Sequence, residues 1–131
     1  MKRFFVLISV TVIIFSFTGC ADKVVSFDIS GAAKITVFSG STGRELEITD
    51  VSAIGNITDD INCRIFIREK SSKLVDGFSY LVKWYDSQNN LIEEITLMSG
   101  NKISYDGYFY IKEDSDSQLC LDYIESLYPA E

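Results

Sequence analysis

The stretch FSYLVKWY, residues 78–85, predicts a β-strand more clearly than any other part of this chain. It is rich in aromatic and β-branched residues, a composition that fits a pleated and partly buried surface better than a helix. Side chains point alternately to the two sides of a strand, and one side here carries Phe78, Tyr80, Val82 and Trp84. A sheet built around this strand is therefore the expected centre of the fold.

Shorter runs with the same alternation flank this stretch and are separated by turn signals. They cover residues 33–38, 44–49, 64–68, 91–98, 102–105 and 108–111, and residues 24–29 could add an edge strand. Ser39–Gly43 is a turn cluster between the first two runs, and Asp106-Gly107 is the usual two-residue hairpin signal. Hairpins of this kind predict a mostly antiparallel sheet, which we expect to have five to six strands.

Two helices are expected beside the sheet. The first begins at an N-cap residue, Asp50, and its apolar stripe consists of Val51, Ile54, Ile57 and Ile61. The second begins near Ser115 or Asp116 and ends before Pro129, and its buried side consists of Leu119, Cys120, Tyr123, Ile124 and Leu127. The predicted fold is α+β, a single domain over residues 33–131 with both helices packed on one face of the sheet.

The N-terminal sequence MKRFFVLISVTVIIFSFTGC has the pattern of a bacterial lipoprotein signal peptide. Lys2 and Arg3 precede an apolar run that is shorter than the roughly 20 residues a membrane-spanning helix needs. Gly19 and Cys20 follow, and this end resembles the lipobox, where cleavage occurs before a cysteine that carries lipid on its sulfur. Phe17 stands where the lipobox usually has Leu. An ordinary secretory signal with an incidental cysteine is the alternative.

Processing at this point has consequences for location and charge. We expect residues 1–19 to be removed, Cys20 to carry the lipid, and residues 20–32 to tether the domain to the extracytoplasmic face of the cell membrane. The net charge of −7 becomes −9 when Lys2 and Arg3 leave with the signal peptide. So acidic a domain is a poor nucleic-acid binder and is repelled by anionic lipid heads. We expect a monomer that has no nucleic-acid partner and contacts the membrane through its lipid.

The remaining cysteines and the absence of histidine restrict the chemistry open to the chain. Cys63 and Cys120 lie in a compartment that permits disulfides, and they either pair or lie as two small buried thiols. The lack of histidine removes the commonest general base and metal ligand. Neighbouring carboxylates, at Asp59-Asp60 and Glu93-Glu94, point apart on a helix or strand. We therefore predict no catalytic residue and no cofactor.

Two further patterns are compatible with ligand sites but have simpler explanations. The spacing of a calcium-binding loop is matched by Asp114, Asp116, Gln118, Asp122 and Glu125. Leu119 occupies the position where that loop needs Gly, and acidic residues also suit the first turn of a helix. Ser39–Gly43 lacks the Gly-Lys-Ser/Thr sequence of a P-loop, so a hairpin turn is the better explanation. We predict no metal site.

Several stretches resemble a family of small lipoproteins from Gram-positive bacteria that has no characterised function. They are Ile35–Gly43 with Glu47–Asp50, Gly77–Tyr80 with Trp84–Asp86, and Tyr105–Tyr110. The resemblance covers most of the chain after the signal peptide. It implies a surface location and a single domain, and it supplies no catalytic residue.

Tyrosines crowd the last predicted hairpin, where Tyr105, Tyr108 and Tyr110 fall within six residues of one another. Alternation places Tyr108 and Tyr110 on one face and Phe109 on the other. If Phe109 faces the helices, the tyrosines point outward and form a platform for a partner. The simpler alternative is that they support one another as cross-strand pairs.

The predicted function is a non-enzymatic binding or interaction module at the cell surface, with a protein or an envelope component as its partner. One alternative is an immunity or inhibitor lipoprotein directed against a secreted toxin or a lysozyme-like enzyme, since an acidic domain suits basic targets. A carboxylate-dependent hydrolase is the alternative from a different class.

Overall fold

One antiparallel sheet of eight strands and two helices form the part of the chain described by the computed structural model. The described residues are 23–69, 78–98, 101–112 and 119–130. The strands are β1 (Val24–Ser26), β2 (Lys34–Ser39), β3 (Glu45–Ile48), β4 (Ile65–Arg68), β5 (Tyr80–Tyr85), β6 (Leu91–Leu97), β7 (Lys102–Tyr105) and β8 (Tyr108–Lys112). The helices are α1 (Val51–Asn62) and α2 (Leu121–Leu127). The predicted signal peptide and Cys20 lie outside the described residues.

The strands lie side by side in the order β1-β4-β8-β7-β6-β5-β2-β3. Two predicted hairpins are confirmed. Between β2 and β3 the Gly43 N–H donates to the Ser39 carbonyl at 2.9 Å. Between β7 and β8, Asp106 and Gly107 both have positive φ angles, 48° and 80°. A type I′ turn, which is common in two-residue hairpins, requires positive φ at both positions.

Both helices pack on the sheet face that carries Tyr80 and Trp84. α1 begins as predicted at Asp50, whose Oδ1 accepts a hydrogen bond from the Ala53 N–H at 2.8 Å. The Trp84 indole N–H donates to Thr58 Oγ1 of α1 at 3.0 Å. Just after α2, the ring of Tyr128 stacks on Tyr80 with centroids 6.1 Å apart. The core between the layers includes Ile35, Val37, Ile57, Ile61, Val82, Ile95, Leu97, Ile103 and Ile124.

The segment that follows β1 belongs to this core. The ring of Phe27 makes edge contacts with Phe66 and Tyr105, with centroids 5.8 Å and 4.9 Å apart. The backbone of Ile29 exchanges hydrogen bonds with the side-chain amide of Asn62, at 2.9 Å and 2.8 Å. The segment predicted as a tether, residues 20–32, therefore contributes to the fold from β1 onward.

The α+β class and the antiparallel sheet agree with the prediction, but eight strands exceed the predicted five to six. All the runs noted in the sequence pair as strands, including both sides of the Asp106-Gly107 hairpin and the edge strand β1, which pairs with β4. Phe78, predicted to share a face with Tyr80, precedes β5, and its ring lies 6.2 Å from Phe38 on the opposite face. The second helix begins at Leu121, later than the predicted start near Ser115 or Asp116, which themselves lie outside the described residues.

Candidate functional site

The sheet face opposite the helices carries the second set of alternating side chains, and we call it the open face. The strand register places on it Thr36, Phe38, Glu45, Glu47, Leu81, Lys83, Tyr85, Glu94, Thr96, Ser104 and Phe109. Neither α1 nor α2 covers these side chains. The open face therefore offers a surface built on paired strands, which hold side chains more rigidly than loops do.

A shallow groove of about 220 Å³ lies on the open face at the β3–β2–β5 end. We call it the groove, and its lining is Thr36, Phe38, Glu45, Leu81, Lys83 and Tyr85. The register explains the set: Phe38 is opposite Leu81 on β5 and opposite Glu45 on β3. The groove was not predicted from the sequence, because its residues come from three separate strands. The alternation along β2, which places Thr36 on the outward side, is the one local signal for it.

The groove has three apolar lining residues, Phe38, Leu81 and Tyr85, among polar and charged ones. Phe38 is 37 % exposed and Phe78, beside it, is 36 % exposed. Leu81 and Tyr85 are half-buried in the floor. Exposed apolar side chains that lie together, with polar groups around them, are typical of binding surfaces, whereas scattered ones are common on any protein.

Charged side chains lie beside these apolar residues. Lys83 Nζ lies 3.3 Å from Glu94 Oε2 across β5 and β6. Lys34 Nζ lies 4.8 Å from the centroid of the Tyr85 ring, and its ammonium donates to Asn89 Oδ1. An exposed ion pair contributes less than about 1 kcal/mol. A ligand carboxylate or carbonyl could therefore engage Lys83 at little energetic cost.

The tyrosines predicted as an outward platform lie on the helix side of the sheet, so their expected orientation is wrong. Tyr110 is opposite Ile103 and is only 8 % exposed, as part of the core. Phe109 takes the open face instead, opposite Ser104. Tyr108 is 44 % exposed, and the Arg68 guanidinium lies 3.4 Å from its ring centroid. Alternation correctly separated Phe109 from the tyrosines, but the condition for an outward platform, that Phe109 faces the helices, is not met.

Tyr105 is half-buried against the core on the helix side of the sheet. Its hydroxyl donates to Glu93 Oε2 at 3.3 Å, and its ring meets Phe27 edge-on. Burial raises the pKa of Tyr105, and the neighbouring Glu93 carboxylate raises it further. Tyr105 is therefore a neutral phenol that is already engaged, which leaves Tyr108 as the exposed member of the predicted trio.

Cys63 and Cys120 are not bonded to each other in this structure, and both contact Asp60. Cys63 Sγ donates to the Asp60 carbonyl at 3.3 Å, and the Cys120 N–H donates to Asp60 Oδ2 at 3.1 Å. Burial and the Asp60 carboxylate raise the pKa of Cys120 to about 12. A thiol with so high a pKa is a poor nucleophile at neutral pH. The pairing of Cys63 with Cys120 stays a prediction.

The Ser39–Gly43 turn borders a second, smaller cavity of about 110 Å³, lined by Ser39, Ser41, Thr42, Arg44, Tyr80, Glu125 and Tyr128. The Ser39 hydroxyl accepts a hydrogen bond from the Thr42 N–H at 3.3 Å and contacts the Ser41 hydroxyl. Arg44 donates to the Pro129 carbonyl at 3.3 Å. These hydrogen bonds stabilise the turn and connect Arg44, which follows it, to the C-terminal residues. The turn leads into β3 and not into a helix, as a hairpin turn does and a P-loop does not.

The adjacent carboxylates point apart, as predicted. Asp60 forms an ion pair with Arg64, whereas Asp59 faces solvent. Glu93 contacts Tyr105 on the helix side, whereas Glu94 pairs with Lys83 on the open face. Neither pair converges on one point, as the two carboxyl groups of a glycosidase must.

The described residues hold no group of three or more His, Cys, Asp or Glu side chains able to bind a metal ion. Of the residues that match the spacing of a calcium-binding loop, Asp114, Asp116 and Gln118 lie outside the described part, and Asp122 and Glu125 are exposed on α2. Within the described ranges, neither helix has the length and apolar content that a membrane-spanning segment needs.

No family model, curated protein or solved structure matches this chain.

Proposed function

We propose that this chain is a lipoprotein anchored through Cys20 to the extracytoplasmic face of the cell membrane, and that its domain is a non-enzymatic binding module for a protein partner. The observation that carries the proposal is the groove on the open face. It brings the apolar side chains of Phe38, Leu81 and Tyr85 together with the charged side chains of Lys83 and Glu45. Aromatic side chains are enriched in protein interfaces, where polar groups lie around them.

The position of the groove suits an anchored binder. β1 begins four residues after Cys20, a length that spans at most about 14 Å. The lipid would therefore hold the β1 edge of the sheet close to the membrane. The groove lies at the opposite end of the strand order, beside β3. At about 4.8 Å per strand, the seven steps from β1 to β3 place it roughly 30 Å away, where a partner can reach it.

Three observations support a role without catalysis. The carboxylates that are close in sequence point apart, and Asp60, Glu93 and Glu94 are each engaged by another side chain. The buried Cys120 thiol has a raised pKa, opposite to the shift that activates a cysteine nucleophile. Histidine is absent from the chain.

Cross-linking in intact cells followed by mass spectrometry tests the proposal. The native chain is compared with a Phe38→Ser/Tyr85→Ser variant, which removes the two aromatic rings of the groove. Tyr108→Ser is the matched control, because it removes an exposed tyrosine from the other face. We expect the native chain and the control to capture the same protein and the groove variant to lose it. Equal capture by the groove variant would contradict the proposal.

A further inference from the structure

The edge strand β3 leaves backbone groups available for another strand. β3 pairs with β2 on one side and ends the strand order on the other. The Ser39 N–H donates to the Arg44 carbonyl at 2.9 Å. Because inward and outward groups alternate along an antiparallel strand, Leu46 and Ile48 also direct their peptide groups toward β2. Glu45 and Glu47 therefore direct their N–H and C=O groups away from the sheet.

The side chains at these two positions are both acidic and both lie on the open face. Glu45 is opposite Phe38 and Glu47 is opposite Thr36, so neither has a cation opposite it on β2. Both are exposed, and within the described ranges no ion pair includes either of them. The two carboxylates therefore form an acidic pair along the outer strand, and neither is held in a described ion pair.

This acidic pair disfavours a second copy of the chain at the same edge. If two β3 strands paired with each other, Glu45 and Glu47 of one copy would face the same residues of the other. Like charges directly opposite each other on neighbouring strands are destabilising. Charged residues on edge strands commonly prevent such self-association. A strand that carries Lys or Arg at alternate positions would instead form favourable cross-strand pairs.

We propose that β3 accepts an extended basic segment of the protein partner as an added strand, with Lys or Arg at alternate positions opposite Glu45 and Glu47. The intervening side chains of the segment would lie beside Leu46, which is half-buried and apolar. Strand addition of this kind gains affinity from main-chain hydrogen bonds and specificity from alternate side chains. The inference rests on the proposed function, because it names the chemistry of the partner and a contact that adjoins the groove through Glu45.

The test is a titration of the full-length chain, in neutral detergent, with short synthetic peptides labelled for fluorescence anisotropy. One peptide alternates lysine with valine, a second alternates glutamate with valine, and a third repeats the first with a central proline. We expect the lysine peptide to bind, the glutamate peptide not to bind, and the proline peptide to bind more weakly because it lacks an N–H for the ladder. Binding should weaken as salt screens the charges.

Charge reversal locates the contact. In a Glu45→Lys/Glu47→Lys variant we expect the lysine peptide to bind about tenfold more weakly or worse, and the glutamate peptide to bind instead. An Asp59→Lys/Glu125→Lys variant is the matched control, because both of these carboxylates are exposed on the helices and the change in net charge is the same. The control should keep its preference for the lysine peptide.

Hydrogen exchange of the native chain gives an independent measurement, which stands even if the reversed variant does not fold. The lysine peptide should slow exchange at the amides of Glu45 and Glu47. Absence of binding, binding that survives charge reversal, or protection elsewhere without protection at these amides would overturn the inference. If the peptide fails while the cellular capture still depends on Phe38 and Tyr85, the edge inference fails and the proposed function stands. If the peptide binds but that capture is independent of the groove, the groove proposal fails.

Discussion

Replacing Thr58 by Val should lower the free energy of unfolding by about 1–3 kcal/mol, the usual cost of leaving a buried polar group without a partner. The Trp84 side chain is fully buried, and its indole N–H donates to Thr58 Oγ1 at 3.0 Å. Valine keeps the branched shape of threonine but offers no acceptor. Since Trp84 is the only tryptophan, its fluorescence reports urea unfolding directly. We expect the urea midpoint to fall by roughly 1 M with an unchanged slope.

Two substitutions control for effects other than the lost hydrogen bond. Thr58→Ser keeps the acceptor and removes only a methyl group, so it should cost less than Thr58→Val. Thr36→Val makes the same chemical change on the partly exposed open face and should alter stability by less than about 0.5 kcal/mol. If Thr58→Val unfolded at the native urea concentration or above it, the bond to Trp84 would not hold α1 to the sheet as described.

Four further predictions concern other parts of the chain. Gly40→Ala should destabilise the fold by more than about 1 kcal/mol, because a Cβ there would lie 2.1 Å from the Phe78 carbonyl oxygen. Gly55→Ala in α1 should stabilise the fold by about 0.5–1 kcal/mol, because a Cβ there meets nothing within 4 Å. Thermal melts measure both variants, and melting temperatures that moved in the same direction would contradict these two predictions. Burial raises the pKa of Cys120 from 9.0 to about 12, so above about pH 9 the unfolded chain loses this proton first and stability should fall with rising pH. The check is to measure the urea midpoints of the native chain and of a Cys120→Ala variant as the pH rises. If the variant lost stability as steeply as the native chain, Cys120 would not be the group responsible. Cys20→Ser should move the chain from the membrane fraction to the medium, as followed by fractionation and immunoblotting, and retention at the membrane would show that another segment anchors it.

Local signals in the sequence predicted the elements whose geometry depends on a few neighbouring residues. Asp50 caps α1 as expected, and Asp106 and Gly107 form the expected hairpin turn. The pairing of Val24 with Ile67 was not predicted, because it joins residues that are far apart in the chain and β1 is only three residues long. The burial of Phe27 was not predicted for the same reason, because its ring packs against Phe66 and Tyr105, which are also far away in the chain.

The candidate site could be predicted less well, because alternation shows which side chains share a face but not which face the helices cover. Phe109 and Tyr110 are both aromatic, so either could belong to the core. The outcome depends on β7, which places Ile103 opposite Tyr110 and Ser104 opposite Phe109. The groove depends on the same kind of information, since it forms only when β2, β3 and β5 lie side by side.

Site-specific photo-cross-linking on living cells tests the binding role of the groove most directly. A photoreactive amino acid is placed at Thr36, in the middle of the groove, and in a second chain at Ser52, on the exposed side of α1. We predict a discrete protein adduct from position 36 and none from position 52. An adduct from position 52 alone, or none from either position while the chain is present at the cell surface, would contradict the account.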